Sequence, residues 1–426
     1  MSRSAPTRPT GVPGPRRGGG LPTIAFVSDA PTLTTGFGVT TARMAGALDA
    51  AGWRPVCFGL KAKPADIGQT PYPIWPADRG GHWTDTLATF FGVMRPDLLV
   101  LNMDAYNAAE VLGAVRAAGW RGPVLSYVVF DGLPVGRHYL DVQRQCTAVL
   151  ASSHTAAAYL RDNGVVVLGV APPGVDRTLF SPTPDRSVLR TLAGVGDTTV
   201  IGAFATNTER KQLARVVAAL PAIRDELGGP RLYMHCQPNR YWRLADLAED
   251  LGVGRLVAFP AVAAFDERRG VPTTGIATLP DAASSHPGRT WPASLSYVDR
   301  IRCCDVIVNV PHSGDIEQVI LEAQASGVPV VHTDDQGVMA EAVGAGGVLL
   351  AARDVGVGRA GERIHHVRPD EIAAAVVSVV KDGDLRARLV QAGLANAARY
   401  PWTRLETAIS AAVDHCLGSA RPGGRR

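Results

Sequence analysis

The stretch Val310–Asp334, VPHSGDIEQVILEAQASGVPVVHTD, decides the fold of this chain of 426 residues. An apolar run ends at Val310, and apolar residues then recur at helical spacing from near Asp315. A second apolar run, Val330–Thr333, follows directly. A strand, a helix and another strand in this order predict two neighbouring parallel strands, with the helix covering one face of their sheet.

The same alternation of strand and helix patterns continues along most of the chain, in two series. The first extends from Thr23–Ser28 to Val165–Val170, and the second begins at Thr199–Ala205. The Pro-rich segment 171–197 separates them and marks a domain boundary. We therefore predict an α/β protein with two doubly wound, Rossmann-like domains that face a central cleft, where the carboxyl ends of the strands bind the ligand.

The two ends of the chain differ in composition from its body. Residues 1–20 and 418–426 are rich in Pro, Gly and Arg, which predicts a disordered tail at the start and a flexible tail at the end. Within the body, residues 21–180 are expected to form an N-terminal domain and residues 196–400 a C-terminal domain. Residues 261–292 contain four prolines and predict a long loop.

Composition and charge exclude several classes of protein. With 46% apolar and 19% charged residues, the chain is not globally disordered. Its net charge is +4, but without the seven arginines of the two ends the body has 36 basic against 39 acidic residues. A nucleic-acid-binding body would be basic, so we expect no nucleic-acid partner.

The sequence also bears on location and metals. It contains no uncharged apolar run of about 18 residues and no signal-peptide pattern, and its six cysteines show no C-x-x-C spacing. We therefore expect a cytoplasmic protein with reduced thiols and no integral membrane contact. The histidine, cysteine and acidic residues lack metal-ligand spacing, so we expect no metal site. The oligomeric state is left open.

Glycines precede the first predicted helix in the way that phosphate-binding loops do. Gly36 and Gly38 would let the backbone approach a phosphate at the helix N-terminus. Alternatively, the turn from strand to helix needs glycine for steric reasons, and the residues alone do not decide between the two. Thr41 stands at the third glycine position of the dinucleotide fingerprint, which argues against a dinucleotide-binding dehydrogenase.

Two cations, Arg210 and Lys211, lie at the predicted start of the first helix of the second domain. Helix N-termini favour acidic residues, so two cations at this place indicate an anionic partner such as a phosphate. A solvated cationic turn is an equally good interpretation of these two residues on their own.

Four segments resemble, in the right order, motifs of the family 4 retaining glycosyltransferases, which have the GT-B fold. His312–Glu341 is similar to the signature of that family. The other three are similar to its first strand, glycine loop and helix (Ser28–Trp53), its interdomain segment (Ala171–Pro182) and its phosphate-binding loop (Ile201–Gln212). The resemblance covers about residues 21–417 and implies that a last helix, Thr403–Leu417, packs back on the N-terminal domain.

The resemblance also implies roles for the residues that match a family motif. Glu322 matches the glutamate that holds the ribose hydroxyls of the nucleotide, and Lys211 matches the lysine on the donor diphosphate. Asp131 falls where the first domain presents a polar residue to the donor sugar. The backbone amides that face the phosphates and the sugar are implied to come from Gly36, Phe37 and Gly38, and from the helix start formed by Asp315, Ile316, Glu317 and Gln318.

The chain departs from the family pattern at two positions. Gly314 stands where the family has its first glutamate, and Thr206 stands where it has an arginine five residues before the lysine. Arg210 is expected to replace the lost positive charge from its neighbouring position. These departures affect the usual contact with the donor sugar.

A nearby acidic residue is expected to cover the position of Gly314. If the helix begins near Asp315, then Asp315 and Glu322 share one face, because seven residues turn the chain by about 700°. Glu317 would then point away and act as an acid at the helix start. We therefore predict Asp315, with Asp131, as the catalytic pair, and keep the alternative that Asp315 only interacts with the helix dipole.

The resemblance implies a glycosyltransferase that moves a hexose or a related sugar from a nucleotide-sugar donor to a small-molecule acceptor. Retention follows from the resemblance, and no metal or cofactor other than the donor is expected. Two alternatives remain: a pseudo-glycosidic coupling enzyme with an unusual donor, and a non-catalytic glycosyltransferase-like partner protein.

Overall fold

The computed structural model describes residues 21–77, 83–260 and 295–418, and between the last two ranges only three strands of two residues each. The chain forms two compact units. The first comprises the chain up to Pro173 and again from Trp402, and the second comprises Gly174–Pro401. The predicted tails, apart from Gly418, and the predicted loop 261–292, apart from those strands, lie outside the described residues.

The first unit is built on one sheet. Its strands are β1 (Thr23–Asp29), β2 (Arg54–Leu60), β3 (Ile74–Pro76), β4 (Leu98–Asp104), β5 (Val124–Val129), β6 (Ala148–Ala151) and β7 (Val167–Val170). The sheet has the order β3-β2-β1-β4-β5-β6-β7, and its neighbouring strands are parallel. The helices between these strands are α1 (Gly36–Ala50), α2 (Trp83–Met94), α3 (Ala105–Ala117), α4 (Arg137–Arg144) and α5 (His154–Asp162).

The strand β1 shows why this sheet lies between two layers of helices. Every residue of β1 is buried. Ile24 and Phe26 belong to the core on one face of the sheet, and Ala25 and Val27 belong to the core on the other. Successive side chains of a strand point to opposite faces, so a continuous apolar run requires that both faces be covered.

The last of the described helices, α14 (Trp402–Leu417), completes the first unit. Leu405, Ile409 and Val413 are fully buried in the core that also holds Met44 of α1. At its start, the guanidinium carbon of Arg43 lies 5.2 Å from the centre of the Trp402 ring, a cation–π contact.

The second unit is built on a second parallel sheet. Its chain contributes the strands β8 (Val200–Phe204), β9 (Arg231–His235), β10 (Val257–Pro260), β11 (Phe265–Asp266), β12 (Val271–Pro272), β13 (Thr290–Trp291), β14 (Val306–Asn309), β15 (Val330–Asp334), β16 (Gly347–Ala351), β17 (Arg353–Val357) and β18 (Arg363–His366). The sheet has the order β13-β10-β9-β8-β14-β15-β16, while β11 pairs with β12 and β17 with β18 in two separate antiparallel hairpins.

Eight helices are described in this unit. They are α6 (Arg186–Leu192), α7 (Leu213–Leu227), α8 (Leu244–Asp250), α9 (Tyr297–Cys303), α10 (Gln318–Ala325), α11 (Val338–Val343), α12 (Pro369–Lys381) and α13 (Gly383–Ala397). The predicted α/β class with two Rossmann-like sheets is confirmed.

The structure differs from the prediction in the segment 171–197, which contains the helix α6. This helix is held by ion pairs to Asp305, which lies 2.8 Å from Arg186 Nη2 and 3.2 Å from Arg190 Nη1. The segment is therefore ordered by tertiary contacts that its broken local pattern does not reveal.

Candidate functional site

The strand order of the second sheet reverses between β8 and β14, which is the switch point of this sheet. The strands that follow β8 extend the sheet on one side, and those that follow β14 extend it on the other. Open parallel sheets bind ligands outside the carboxyl ends of their strands at such a point. Asn309, the last residue of β14, connects the carboxyl ends of β8 and β14. Its Oδ1 accepts from the amide of Phe204 at 3.1 Å, and its Nδ2 donates to the carbonyl of Phe204 at 2.9 Å.

The carboxylate of Glu317 contacts this point through Asn309. One carboxylate oxygen forms an ion pair with Lys211 Nζ. The other accepts from Asn309 Nδ2 at 3.1 Å and lies 3.3 Å from His332 Nε2. Burial raises the pKa of Glu317, but the Lys211 ammonium and the His332 ring outweigh it and hold that pKa well below its ordinary value. Glu317 is therefore a carboxylate, and it neutralises Lys211.

The other cation of the predicted pair, Arg210, contacts the loop after β14. Its Nη1 donates to the carbonyl of Ser313 at 3.0 Å, and its own carbonyl accepts from the amide of His312 at 2.8 Å. A Cβ atom on Gly314 would lie 3.0 Å from Arg210 Nη1 and 3.3 Å from the sulfur of Met339. The guanidinium of Arg210 thus lies against the position where the family has its first glutamate.

Two buried side chains of this loop carry polar atoms that find no hydrogen-bond partner within the part of the chain that the structure describes. They are His312 Nδ1 and Ser313 Oγ, in residues that are 6% and 1% exposed. Burial, followed by the nearby Arg210 guanidinium, lowers the pKa of His312 to about 4, so its ring is neutral at pH 7. Polar atoms buried without a partner are costly, and a bound polar ligand would offset that cost.

Glu322 lies on α10 and is paired with an aromatic residue. Tyr297 of α9 donates its hydroxyl to Glu322 Oε2 at 2.9 Å. Burial raises the pKa of Glu322 to about 7, and the hydrogen bond from Tyr297 opposes this rise. The ring of Tyr297 packs edge-on against Phe204 and His235, with centroids 5.8 and 5.3 Å away. Glu322 is thus held near the carboxyl end of β8 in a state that gains or loses a proton near neutral pH.

The predicted geometry of Asp315 and Glu317 is wrong. The helix α10 begins at Gln318, and Glu317 is its N-cap residue with extended backbone angles, φ −80° and ψ 115°. Asp315 therefore lies outside the helix, and the shared helical face with Glu322 does not exist. Asp315 Oδ1 accepts from the amide of Ile316 at 2.7 Å, whereas Glu317, which was expected to point away, contacts Lys211. Hydrogen bonds from β14 and β15 determine the direction of Glu317.

The glycine loop of the first unit has a steric explanation at one of its two glycines. Thr35 caps α1 by accepting from the amide of Gly38 at 3.0 Å. A Cβ atom on Gly38 would lie 2.4 Å from the carbonyl oxygen of Leu33, so only glycine fits there. Gly36 is exposed and has open space around it, and Phe37 accepts from Asn102 Nδ2 at 3.0 Å through its carbonyl. The structure thus leaves Gly36 accessible and gives Gly38 a packing role.

The carboxyl end of β1 carries an ion pair that the sequence did not reveal. Both oxygens of Asp29 lie 3.0 Å from Lys61 Nζ, and Oδ2 also accepts from the hydroxyl of Thr35 at 2.8 Å. Asp131, the other predicted catalytic residue, follows β5 and is partly buried. Asp131 and Asp315 belong to different units, and the catalytic role of the pair stays a prediction.

Sequence reasoning missed three partners of the candidate site, Asn309, His332 and Tyr297. Asn309 and His332 interrupt or follow apolar strand patterns, and a polar residue at the carboxyl end of a buried parallel strand was the available signal. Tyr297 could not have been found in this way, because its contact to Glu322 joins two helices that are distant in sequence.

Residues 21–77, 83–260 and 295–418 lack two features, a cluster of metal-ligating side chains and a membrane-spanning helix. Within these ranges, no group of three or more histidine, cysteine or acidic side chains could hold a metal ion. The described helices include none that is both long and apolar enough to cross a membrane.

The fold is found again in solved structures of glycosyltransferases. The sucrose-phosphate synthase of Thermosynechococcus elongatus matches with a TM-score of 0.68 and 16% identity, over 94% of this chain and 100% of that one. HepE of Anabaena, solved in complex with UDP-glucose, matches with a TM-score of 0.65 and 17% identity, over 92% and 99% of the two chains. The fold is therefore the GT-B fold.

Sequence relatives are also glycosyltransferases. The D-inositol 3-phosphate glycosyltransferase of Stackebrandtia nassauensis is 30% identical over 246 residues, which are 55% of this chain and 45% of the relative. A GDP-mannose-dependent phosphatidylinositol monomannoside mannosyltransferase of Mycobacterium tuberculosis is 28% identical over 58% of either chain. The chain spans about half the length of the curated relatives it matches. No family model matches it.

Proposed function

We propose that this protein is a glycosyltransferase that moves a sugar from a nucleotide-sugar donor to a small-molecule acceptor. The observation that carries the proposal is the arrangement at the switch point of the second sheet. There, Lys211 and Arg210 contact Glu317 and Ser313, which lie just before α10, the helix that carries Glu322. We also propose retention of the anomeric configuration, independence of divalent cations and a cytoplasmic location.

The chemistry requires that negative charge on the leaving nucleoside diphosphate be stabilised as the glycosidic bond breaks. The Lys211 ammonium and the Arg210 guanidinium supply positive charge, and the first amides of α10 supply donors whose dipoles are already oriented. The charge is thus stabilised without a metal ion. Retention is proposed from the resemblance to the family and not from any single residue.

Glu322 is proposed to bind the ribose of the donor. A carboxylate accepts hydrogen bonds from two neighbouring hydroxyls, and Tyr297 holds one oxygen of Glu322 in place. His312 Nδ1 and Ser313 Oγ, which are buried near Gly314, offer further polar atoms for the sugar. These contacts would give the donor a fixed orientation over the switch point.

The relatives support the class of substrate. Their names specify GDP-mannose as one donor, and inositol phosphates and phosphatidylinositol mannosides as acceptors. A solved neighbour contains UDP-glucose. For this chain we propose a nucleotide-hexose donor, with guanine or uracil as its base, and a small polyol as the acceptor.

A thermal-shift screen against UDP-, GDP-, ADP- and dTDP-sugars tests the proposal. Specific donors are expected to raise the melting temperature by mass action, and the same donors are expected to be hydrolysed slowly or transferred to inositol phosphates. Turnover should persist in chelator, and NMR of the product should show the anomeric configuration of the donor. No shift with any donor, or turnover that only magnesium or manganese restores, would contradict the proposal.

One observation favours the pseudo-glycosidic coupling enzyme as the second candidate. Gly314 removes the family's first glutamate, and Arg210 lies in its place, so the sugar meets a cation where relatives of the family present an acid. A donor that carries an anionic sugar would suit this site. Hydrolysis of ordinary hexose donors at an enzymatic rate would exclude this candidate.

A further inference from the structure

We propose that Glu317 is the resident counter-ion of Lys211 and that the diphosphate of the donor displaces it. The inference rests on the proposed function. It is carried by the ion pair between the two side chains at the switch point, where Lys211 and Glu317 retain 16% and 7% of their side-chain exposure. In the empty site the carboxylate takes the place that an anionic oxygen of the donor takes in the loaded site.

The usual role of an acid at this position does not explain Glu317. An acidic N-cap residue accepts hydrogen bonds from the first amides of its helix. Glu317 is the N-cap residue of α10, but its side chain makes no capping hydrogen bond. The carboxylate instead turns to Lys211, Asn309 and His332, so it binds none of the first-turn amides of α10.

The chemistry of Lys211 makes the carboxylate and a phosphate competitors. A lysine ammonium has three donors and no acceptor, so each of its partners is an acceptor, such as a carboxylate or a phosphate oxygen. A phosphate beside Glu317 would also be repelled by it, because two anions in a site of low exposure interact strongly. The donor must therefore draw Lys211 away from Glu317 to bind.

Glu317 keeps two partners after Lys211 has turned. Asn309, itself held by Phe204, donates to its carboxylate at 3.1 Å. His332 Nε2 lies 3.3 Å from the same oxygen, and His332 Nδ1 lies 3.1 Å from the carbonyl of Thr333. The carboxylate is thus fixed in position, and Lys211 is the partner with a flexible chain. Each binding event exchanges one anion for another at the same ammonium.

This exchange limits the affinity for the nucleoside diphosphate and helps its release after transfer. Removing the negative charge of Glu317 should therefore tighten binding. A purely structural role for Glu317, in which it only holds Lys211 in place, predicts the opposite sign. The sign of the effect separates the two roles.

The test is isothermal titration of UDP, GDP, ADP and dTDP into the full chain and its variants at low salt. For whichever diphosphate binds, Glu317→Gln is expected to tighten binding at least fivefold. Glu209→Gln, which removes an exposed acid two residues before Lys211, is the matched control and is expected to change binding less than twofold. In the Lys211→Met background, Glu317→Gln should lose most of its gain, because the two residues are coupled.

Turnover gives a second readout. If diphosphate release becomes limiting, Glu317→Gln should lower kcat and KM together. Should Glu317→Gln fold poorly in a thermal unfolding control, Glu317→Met, which has a similar volume, has the same expected sign. Unchanged or weaker binding in the folded variants, with normal binding by the wild type, would overturn the counter-ion role and leave the proposed function standing. Absence of binding in the wild type would overturn the proposed function itself.

Discussion

Replacing Glu322 by glutamine is expected to make the protein more stable relative to wild type at alkaline pH than at acidic pH. Burial raises the pKa of Glu322 from 4.5 to about 7, against the opposing hydrogen bond from Tyr297. The folded state therefore binds this proton more tightly than the unfolded state. The resulting stabilisation is fully present below pH 4.5 and is lost as the pH rises through about 7.

The magnitude follows from the two pKa values. Linkage gives a loss of up to about 2.5 kcal/mol between pH 5 and pH 8, since one pKa unit corresponds to about 1.36 kcal/mol. Glu322→Gln has no such loss. His235 and His312 have lowered pKa values and change stability in the opposite direction below pH 6.5, but both proteins contain them. Their effect cancels in the difference between variant and wild type.

The assay is urea unfolding of both proteins at pH 5 and pH 8, followed by circular dichroism. The free energy of unfolding of Glu322→Gln, relative to wild type, should rise by about 2–2.5 kcal/mol between the two values of pH. Glu226→Gln is the control, because it changes an exposed carboxylate at the end of α7. The ion pair of Glu226 with Lys381 contributes about 1 kcal/mol or less to the free energy of unfolding. Equal differences at both values of pH would refute the assignment of a raised pKa to Glu322.

Three further outcomes are expected. Lys211→Ala should weaken donor binding by about 1.5–3 kcal/mol, the range of a charge-assisted hydrogen bond, and an unchanged dissociation constant in calorimetry would return Lys211 to a surface role. Gly38→Ala should lower the free energy of unfolding by about 1–3 kcal/mol, because its Cβ would lie 2.4 Å from a backbone oxygen. Gly36→Ala should change this free energy little, since a Cβ there would have nothing within 4 Å. Similar urea midpoints for the two variants would contradict this prediction. Gly314→Glu should displace the Arg210 guanidinium from the Ser313 carbonyl, and a loss of donor binding below twofold would show that this contact does not matter for the donor.

The two sheets could be predicted because their strands are short apolar runs rich in β-branched residues. In a strand such as β1, every residue is buried on one face or the other, so the pattern needs no knowledge of the rest of the chain. Some strands escaped prediction. β3 has three residues and ends in a proline, and β16 contains one apolar run beside a glycine-rich turn. Their positions depend on pairing with β2 and β15.

The local geometry of the candidate site could not be predicted from the sequence. Arg210 and Lys211 were indicated by their place at a predicted helix start, and the role of Glu322 was implied by the resemblance to the family. The structure brings Lys211 to Glu317, which contacts the last residue of β14. The start of α10 could not be placed from its apolar spacing, which extends back to Ile316. Hydrogen bonds from Asn309 and His332, which come from other strands, draw Glu317 out of the helix. Side chains that are distant in sequence therefore determine that Glu317 contacts Lys211.

The position of α14 has a consequence for the order in which the protein is made. The ribosome completes all of Gly174–Pro401 before it makes the helix that closes the core of the first unit. Until then, the apolar surface that Leu405, Ile409 and Val413 later cover remains open to water and to other chains. Domains usually fold as they emerge, with the N-terminal one first. Here the first unit to emerge is the last to be completed, because its core lacks α14 until residues 402–417 have been made.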